Sequence, residues 1–222
     1  MKICFLTKIE KLGVKEAIAY TKKIVKNLDC LDIYYGKPKD KIPKKLFNIK
    51  YDLLISYISP WIIPETVLAK TKKWNLNFHP GPPEYPGIGC FNFAIYDSVD
   101  QFGATAHIME PKVDTGEIIG VEHFSITKNE TVESLSIKTY NAQLDLFKKI
   151  LSSISENNCL PKSEEKWKRK PFRRFELEQL ATIDLNMSKN EIEKRIRATY
   201  FPGKPSPFIE IYGKRYEYNP NR

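Results

Sequence analysis

The run Tyr51-Asp-Leu-Leu-Ile-Ser-Tyr57 constrains this chain more than any other stretch. A strand with one wet face alternates apolar and polar residues; this one is apolar at nearly every position, as a strand covered on both faces must be. Such a strand needs parallel neighbours and crossover helices above and below it. The surrounding sequence supplies them. Lys2–Leu6 reads as a first buried strand, and Val14, Ala17, Ile18, Thr21, Ile24, Val25 and Leu28 recur at helical spacing through Leu28. Leu31–Tyr35 is a second strand, and Pro38–Asn48 a loop with a short helical piece. Pro60 ends the central strand, and Pro64 suits the first turn of a short helix to Lys70. Trp74, Leu76 and Phe78 then alternate with Asn75, Asn77 and His79, a period of two. The expected fold class is α/β, a doubly wound, mostly parallel sheet. In such sheets ligands gather beyond the carboxyl ends of the strands, here the loops after Tyr57 and Phe78.

The pattern then changes. Cys90–Ser98 reads as a helix, Gly103–Met109 as a strand, and the turn Pro111-Lys-Val-Asp-Thr-Gly116 leads into a strand over Glu117–Phe124. So short a connection makes that pair antiparallel. Thr131 to about Ser155 reads as one long helix, with Glu130 and Glu133 at its electropositive start. Beyond Cys159, Pro161–Arg174 is basic and without apolar period, Ser188 begins a short amphipathic helix, and Pro207–Tyr218 alternates around Gly213-Lys214 as a β-hairpin. A lone hairpin is marginal in water, so it must pack against the main domain or a second subunit. The expected division is a main domain over residues 1–160 and a C-terminal extension over 161–222.

Composition removes several function classes. No apolar run is long enough to span a bilayer, and the N-terminus has too short an apolar core for a secretory signal. Cys4, Cys30, Cys90 and Cys159 are scattered, which argues against a zinc site or disulfide framework and fits the reducing cytoplasm. The formal charge of +9 admits anionic partners, but it is concentrated in Lys37–Lys50 and Lys162–Arg174 and decides nothing alone. Thr7–Gly13 holds a single glycine, so neither a dinucleotide fingerprint nor a Walker phosphate loop follows the first strand.

Chemistry concentrates at the end of the strand over Asn75–Phe78. Asn77 and His79 project from one face, immediately before the stiff loop Pro80–Gly89. An amide and an imidazole so placed suit proton transfer and carbonyl binding. The other two histidines, His107 and His123, lie inside strand patterns flanked by apolar residues and read as structural. Nothing marks Cys90 as an activated nucleophile. Asp114, at the start of the Val113-Asp-Thr-Gly116 turn, reads by itself as a turn former.

Taken together, Asn77-x-His79-Pro80, the proline–glycine loop to Gly89 and Val113-Asp-Thr-Gly-Glu-Ile-Ile119 resemble the folate-dependent formyltransferases. The resemblance covers about Lys50 to Thr127 well and the N-terminal units loosely. It implies a Rossmann-like fold and a catalytic set of Asn77, His79 and Asp114. It also implies a pterin pocket lined by the backbone of Ser56–Pro64, with Tyr57, Ile58 and Ile62, its other wall formed by Val113, Thr115, Gly116 and Ile118. The formyl donor would be 10-formyltetrahydrofolate, and no metal is expected. The loop Gly81-Pro-Pro-Glu-Tyr-Pro-Gly87 and the short hairpin tail look most like the sugar N-formyltransferases. That resemblance implies a nucleotide-linked amino sugar as acceptor, such as a dTDP-4-amino-4,6-dideoxyhexose. Lys8 or Lys11 would meet the diphosphate, Pro83 and Tyr85 would lie beside the acceptor, and Tyr200 and Phe201 would stack on the base. A cytoplasmic homodimer is expected, with no membrane or nucleic-acid partner. The alternatives are a methionyl-tRNA formyltransferase lacking the full RNA-binding domain, or an inactive folate or nucleotide-sugar binding module.

Overall fold

The structure, a computed structural model, describes residues 1–25 and 28–220. Its centre is a six-stranded sheet of order β2-β1-β3-β4-β5-β6. The strands are β1 (Lys2–Lys8), β2 (Cys30–Gly36), β3 (Leu53–Tyr57), β4 (Trp74–His79), β5 (Gln101–Ile108) and β6 (Ile118–Ser125). β1 to β4 run parallel, whereas β5 is antiparallel to both of its neighbours.

Every residue of β3 is buried, as its unbroken apolar sequence requires. Alternate residues serve two cores. Ile3, Phe5, Leu53, Ile55 and Tyr57 join one cluster with α1 (Val14–Ile24) and α4 (Val132–Asn157). Cys4, Leu6 and Leu54 join another with Leu46 and with Val67 and Leu68 of α2 (Glu65–Leu68). α4 starts on Thr131, whose side chain and that of Ser134 form a reciprocal capping box. From the middle of α4 the Gln143 amide donates to Phe78 O at 2.6 Å, fixing the helix to β4 just before His79. A third cluster joins α3 (Cys90–Asp97), Tyr85, Phe102 and Phe172 with Leu180 and Ala198.

The C-terminal region departs from expectation in informative ways. Residues 160–173 form an extended strap over the sheet's β4–β6 side, followed by a helix that the sequence pattern did not reveal, α5 (Arg174–Ala181). α5 buries only Leu180, and its start is held by Glu176, whose carboxylate accepts from Arg173 N at 2.7 Å. α6 (Lys189–Thr199) starts on the Ser188 cap, as expected. The hairpin pairs β7 (Phe208–Ile211) with β8 (Lys214–Glu217). Its turn falls on Tyr212-Gly213, one residue earlier than expected, with φ of 49° and 69° as a type I′ turn requires. α1 ends at Ile24 rather than Leu28, since Val25 is already extended; Lys26 and Asn27 lie outside the described residues. Among the described residues no helix is long and apolar enough to cross a membrane.

Candidate active site

In the antiparallel β4–β5 pair, Asn77 stands opposite His107 and His79 opposite Thr105. That register puts Asn77, His79 and His107 on one face of the sheet, because opposed residues share a face. The turn between β5 and β6 curls over this face and delivers Asp114 among them. Its geometry is exacting. Asp114 has a φ of 47°, and a Cβ at Gly116 would overlap the carbonyl oxygen of Ile108. The Asp-Thr-Gly sequence thus pairs a residue tolerant of left-handed backbone with the one residue small enough for the close approach.

Asp114 is the hub. Its Oδ2 lies 3.3 Å from His79 Nδ1 and accepts the Gly87 backbone N–H at 2.7 Å. Its Oδ1 lies 3.2 Å from His107 Nε2 and 3.5 Å from Asn77 Nδ2. Burial pushes the Asp114 carboxyl up, but the His79 charge, the His107 hydrogen bond and charge, and the Gly87 N–H outweigh it. The group is held well below the usual carboxylate range. The proline–glycine loop therefore contributes directly to the site, bringing Gly87, at φ 88°, to where its N–H meets the carboxylate.

The two imidazoles differ. His107 Nδ1 faces the Ile108 carbonyl at 2.8 Å and donates to it, while its Nε2 lies 2.9 Å from the Asn77 amide and 3.2 Å from Asp114 Oδ1. His79 Nε2 faces the Tyr85 carbonyl at 2.9 Å, while its Nδ1 faces Asp114. Both His79 partners are acceptors, so the imidazolium is the form that satisfies them together. His79, His107 and Asp114 are all buried; Asn77 is half-buried and marks the open side of the site. Among the described residues no group of three or more His, Cys, Asp or Glu is arranged to hold a metal ion.

From sequence His107 reads as a satisfied, buried imidazole; it is buried with both nitrogens partnered, and one of those partners is Asp114. Only the β4–β5 register shows that it stands opposite Asn77. His123 is partly exposed and pairs with Glu165 at 3.1 Å, outside the site.

The expected pocket residues separate by side chain. Tyr57 is wholly buried in an aromatic cluster with Phe5, Phe78 and Phe147, so its ring lines no pocket. Ile58 directly beyond it has a φ of 55°, a strained conformation for a β-branched residue that costs about 1–3 kcal/mol. Ile62 and Val113 are exposed, and Thr115 is exposed with its hydroxyl turned back to Lys112 O at 3.0 Å. Gly116 and Ile118 are buried; with Thr115 they line a groove of about 470 Å³ against Ser163–Trp167 of the strap. Ile9, Leu12, Tyr35, Ile62 and Ile88, at the ends of β1 to β4 or in the loops that follow, are each exposed.

The expected acceptor residues also separate. Pro83 and Tyr85 are buried, and the Tyr85 hydroxyl donates to Asp97 at 2.8 Å. They shape the loop and present no side chain to a ligand, because the ring is needed in the third core. Tyr200 packs edge-to-face on Tyr218, and Phe201 is half-buried against the same core. Lys8, at the end of β1, and Lys11, in the loop after it, are both half-buried. Burial lowers both, Lys11 lowers Lys8 further, and Lys204 lowers each of them. The C-terminal loop thus brings a third cation to the pair.

Cys90 lies next to the site without belonging to its chemistry. Its thiol donates to Pro80 O at 3.1 Å, and burial pushes it up to about 12. It is not a thiolate at neutral pH. Cys90→Ser is expected to keep turnover within ~3-fold, and iodoacetamide at neutral pH to label the exposed Cys159 and spare Cys90. Loss of activity in step with alkylation of Cys90, read by peptide mass mapping, would contradict this.

Residues 36–151 match the formyl transferase family, and the chain belongs to it. It is similar to the GDP-perosamine N-formyltransferase of Brucella melitensis, 27% identical over 170 residues, covering 76% of this chain and 64% of that protein. It is similar also to the methionyl-tRNA formyltransferase of Ehrlichia ruminantium, 26% identical over 194 residues, covering 86% of this chain and 61% of that protein. The chain therefore spans less than two thirds of the length of these relatives. Among solved structures, a sugar N-formyltransferase from a Shewanella species superposes with a TM-score of 0.77 at 16% identity, covering 98% of this chain and 96% of that one. The N-formyltransferase from Helicobacter canadensis, solved in complex with folinic acid and dTDP-3-aminofucose, gives 0.76 at 21% identity, covering 97% and 86%. These likenesses establish a shared fold.

Proposed function

We propose that this chain transfers the formyl group of 10-formyltetrahydrofolate to the amine of a nucleotide-linked amino sugar. The observation that carries the reading is the buried Asp114 carboxylate, shared by His79 and His107 beside the Asn77 amide. A neutral amine attacks the formyl carbon. The carbonyl electrons become an oxyanion, to which the Asn77 amide donates, joined by His79 once it carries the amine's proton. The amine loses that proton to neutral His79, the bond between the formyl carbon and N10 of the folate breaks, and N10 leaves with the proton His79 returns. General-base help of this kind is worth about 10²–10⁴-fold. Asp114 holds the imidazole and balances its charge. The relatives named above act on sugars or on tRNA, and folinic acid in the Helicobacter complex supports a folate donor. The strained backbone at Ile58 and the walls at Val113, Thr115, Gly116 and Ile118 are the surfaces we assign to the pterin.

For the acceptor we favour a dTDP-4-amino-4,6-dideoxyhexose. Lys8, Lys11 and Lys204 form no ion pair among the described residues, and an acceptor diphosphate would relieve their mutual repulsion. We assign Tyr200 and Phe201 to the neighbourhood of the base. The exposed Ile211, Tyr212, Tyr216 and Tyr218 on the hairpin suit a homodimer contact, with residues 161–222 as an extension of the catalytic unit. The reading places the enzyme in the cytoplasm.

Incubation with 10-formyltetrahydrofolate and a panel of dTDP-, UDP- and GDP-linked amino sugars, with methionyl-tRNA alongside, tests it. Formylated sugar is the expected product by mass spectrometry. Formylation of tRNA alone would replace the sugar reading, and no product with any acceptor would favour a binding module.

A further inference from the structure

We infer that Trp167, carried on the C-terminal strap, is a positioning residue for Asp114 and its two imidazoles. It lies outside residues 36–151, the span that matches the family.

The strap is extended, and over residues 161–168 its exposure alternates with a period of two. Ser163, Glu165 and Trp167 turn inward, while Lys162, Glu164, Lys166 and Lys168 turn outward. The lysines that give this stretch its charge are thus the solvated half of a structured segment. Its inward half ends on the catalytic groups. The indole lies 5.1 Å from the His107 ring at 84° and 6.0 Å from the His79 ring at 72°, centroid to centroid. Its Nε1–H donates to Gly116 O at 2.8 Å, in the turn that carries Asp114. One side chain therefore touches both imidazoles and the backbone that places the carboxylate between them.

The strap is tied to the other half of the site as well. Lys168 N donates to Pro83 O at 3.0 Å and Phe172 N to Pro86 O at 2.9 Å, while Ile88 N donates to Phe172 O at 3.0 Å. These bonds bracket Gly87, whose N–H binds Asp114, and a Cβ at Gly87 would run into the Phe172 backbone. Phe172 stacks on Phe93 at 3.7 Å and 7°, anchoring the strap in the third core. Trp167 thus closes the catalytic groups off from water on one side. Removing water strengthens the carboxylate–imidazole interactions and restrains both rings, two requirements for a fixed proton-transfer geometry. A tryptophan that merely filled a surface gap would have no reason to direct its N–H at the Asp114 turn.

The test has one arm that needs no substrate and one that rests on the formyl-transfer reading. In ¹⁵N-labelled protein without ligands, the imidazole N–H of His79 bonded to Tyr85 O and that of His107 bonded to Ile108 O are expected as exchange-protected signals. Trp167→Ala is expected to lose both to solvent exchange while amide spectra show an intact fold. It is also expected to lower kcat at least ~10-fold with little change in KM for the acceptor. Trp167→Phe keeps a ring but not the Gly116 bond, and is expected to restore part of both properties. Protected signals and unchanged kcat in Trp167→Ala would overturn the inference, as would absence of the signals from the wild type. If Trp167→Ala does not fold, Trp167→Phe decides by the same two readouts. A wild type that shows the signals but formylates nothing overturns the reaction and leaves the positioning role standing.

Discussion

Asp114→Asn is expected to lower kcat by about 10²–10⁴ while leaving the fold recognisable, comparable to losing the orienting carboxylate of a serine-protease triad. The two side chains are nearly isosteric, so the effect isolates charge and hydrogen bonding. Around the two Asp114 oxygens stand the Gly87 N–H, the Asn77 amide and one nitrogen of each imidazole. An asparagine must turn its NH₂ toward one side or the other. On one side it meets the Gly87 N–H, and on the other the Asn77 NH₂. Either way an NH₂ replaces a carboxylate oxygen on which a buried N–H or NH₂ group converges, and His79 loses its counter-charge. Leaving one buried donor unpaired costs about 1–3 kcal/mol, which a thermal melt would read. The pH dependence has a definite sign. Asp114 is depressed in the folded protein, so its stabilisation is complete above the unfolded carboxylate value of about 3.9 and is lost as pH falls further. The Tm difference between wild type and variant should hold near neutrality and close in strong acid. Turnover within ~3-fold of wild type would remove Asp114 from the mechanism.

The parts of this site legible in the sequence are those encoded by local period and backbone need. Tyr51–Tyr57 announced a strand covered on both faces because a buried strand has no polar positions. Asn77 and His79 were visible because a period of two ends abruptly in prolines. Asp114 by itself reads as a turn former, and its place in the site came from the resemblance of Val113-Asp-Thr-Gly116 to the family's motif. The place of His107 was not visible, since it depends on standing opposite Asn77, and a strand pattern does not state its register. Gly87 acts through its backbone N–H, which leaves no chemical mark on residue type. Trp167 sits in a basic run without apolar period, which carries no mark of a structured segment. Tyr57 is expected to line the pocket through its backbone, and its ring belongs to the core. α5 escaped because one buried leucine is too little to show a helical period.

His79→Asn is expected to lower kcat by at least ~10², with an intact fold. The resting geometry makes the argument sharper than the residue type alone. Both nitrogens of His79 are engaged by acceptors, Nδ1 by Asp114 and Nε2 by the Tyr85 carbonyl. Before the ring can take a proton from the attacking amine, Nε2 must leave Tyr85 and give up its own proton. The productive form is therefore the ring with Nδ1–H held by Asp114 and Nε2 free to accept the amine's proton. An asparagine can still donate to the oxyanion but cannot accept the proton. The residual activity of the variant should accordingly be low. Turnover of His79→Asn within ~10-fold of wild type would assign proton transfer to another group, with His107, beside the same carboxylate, the first to mutate.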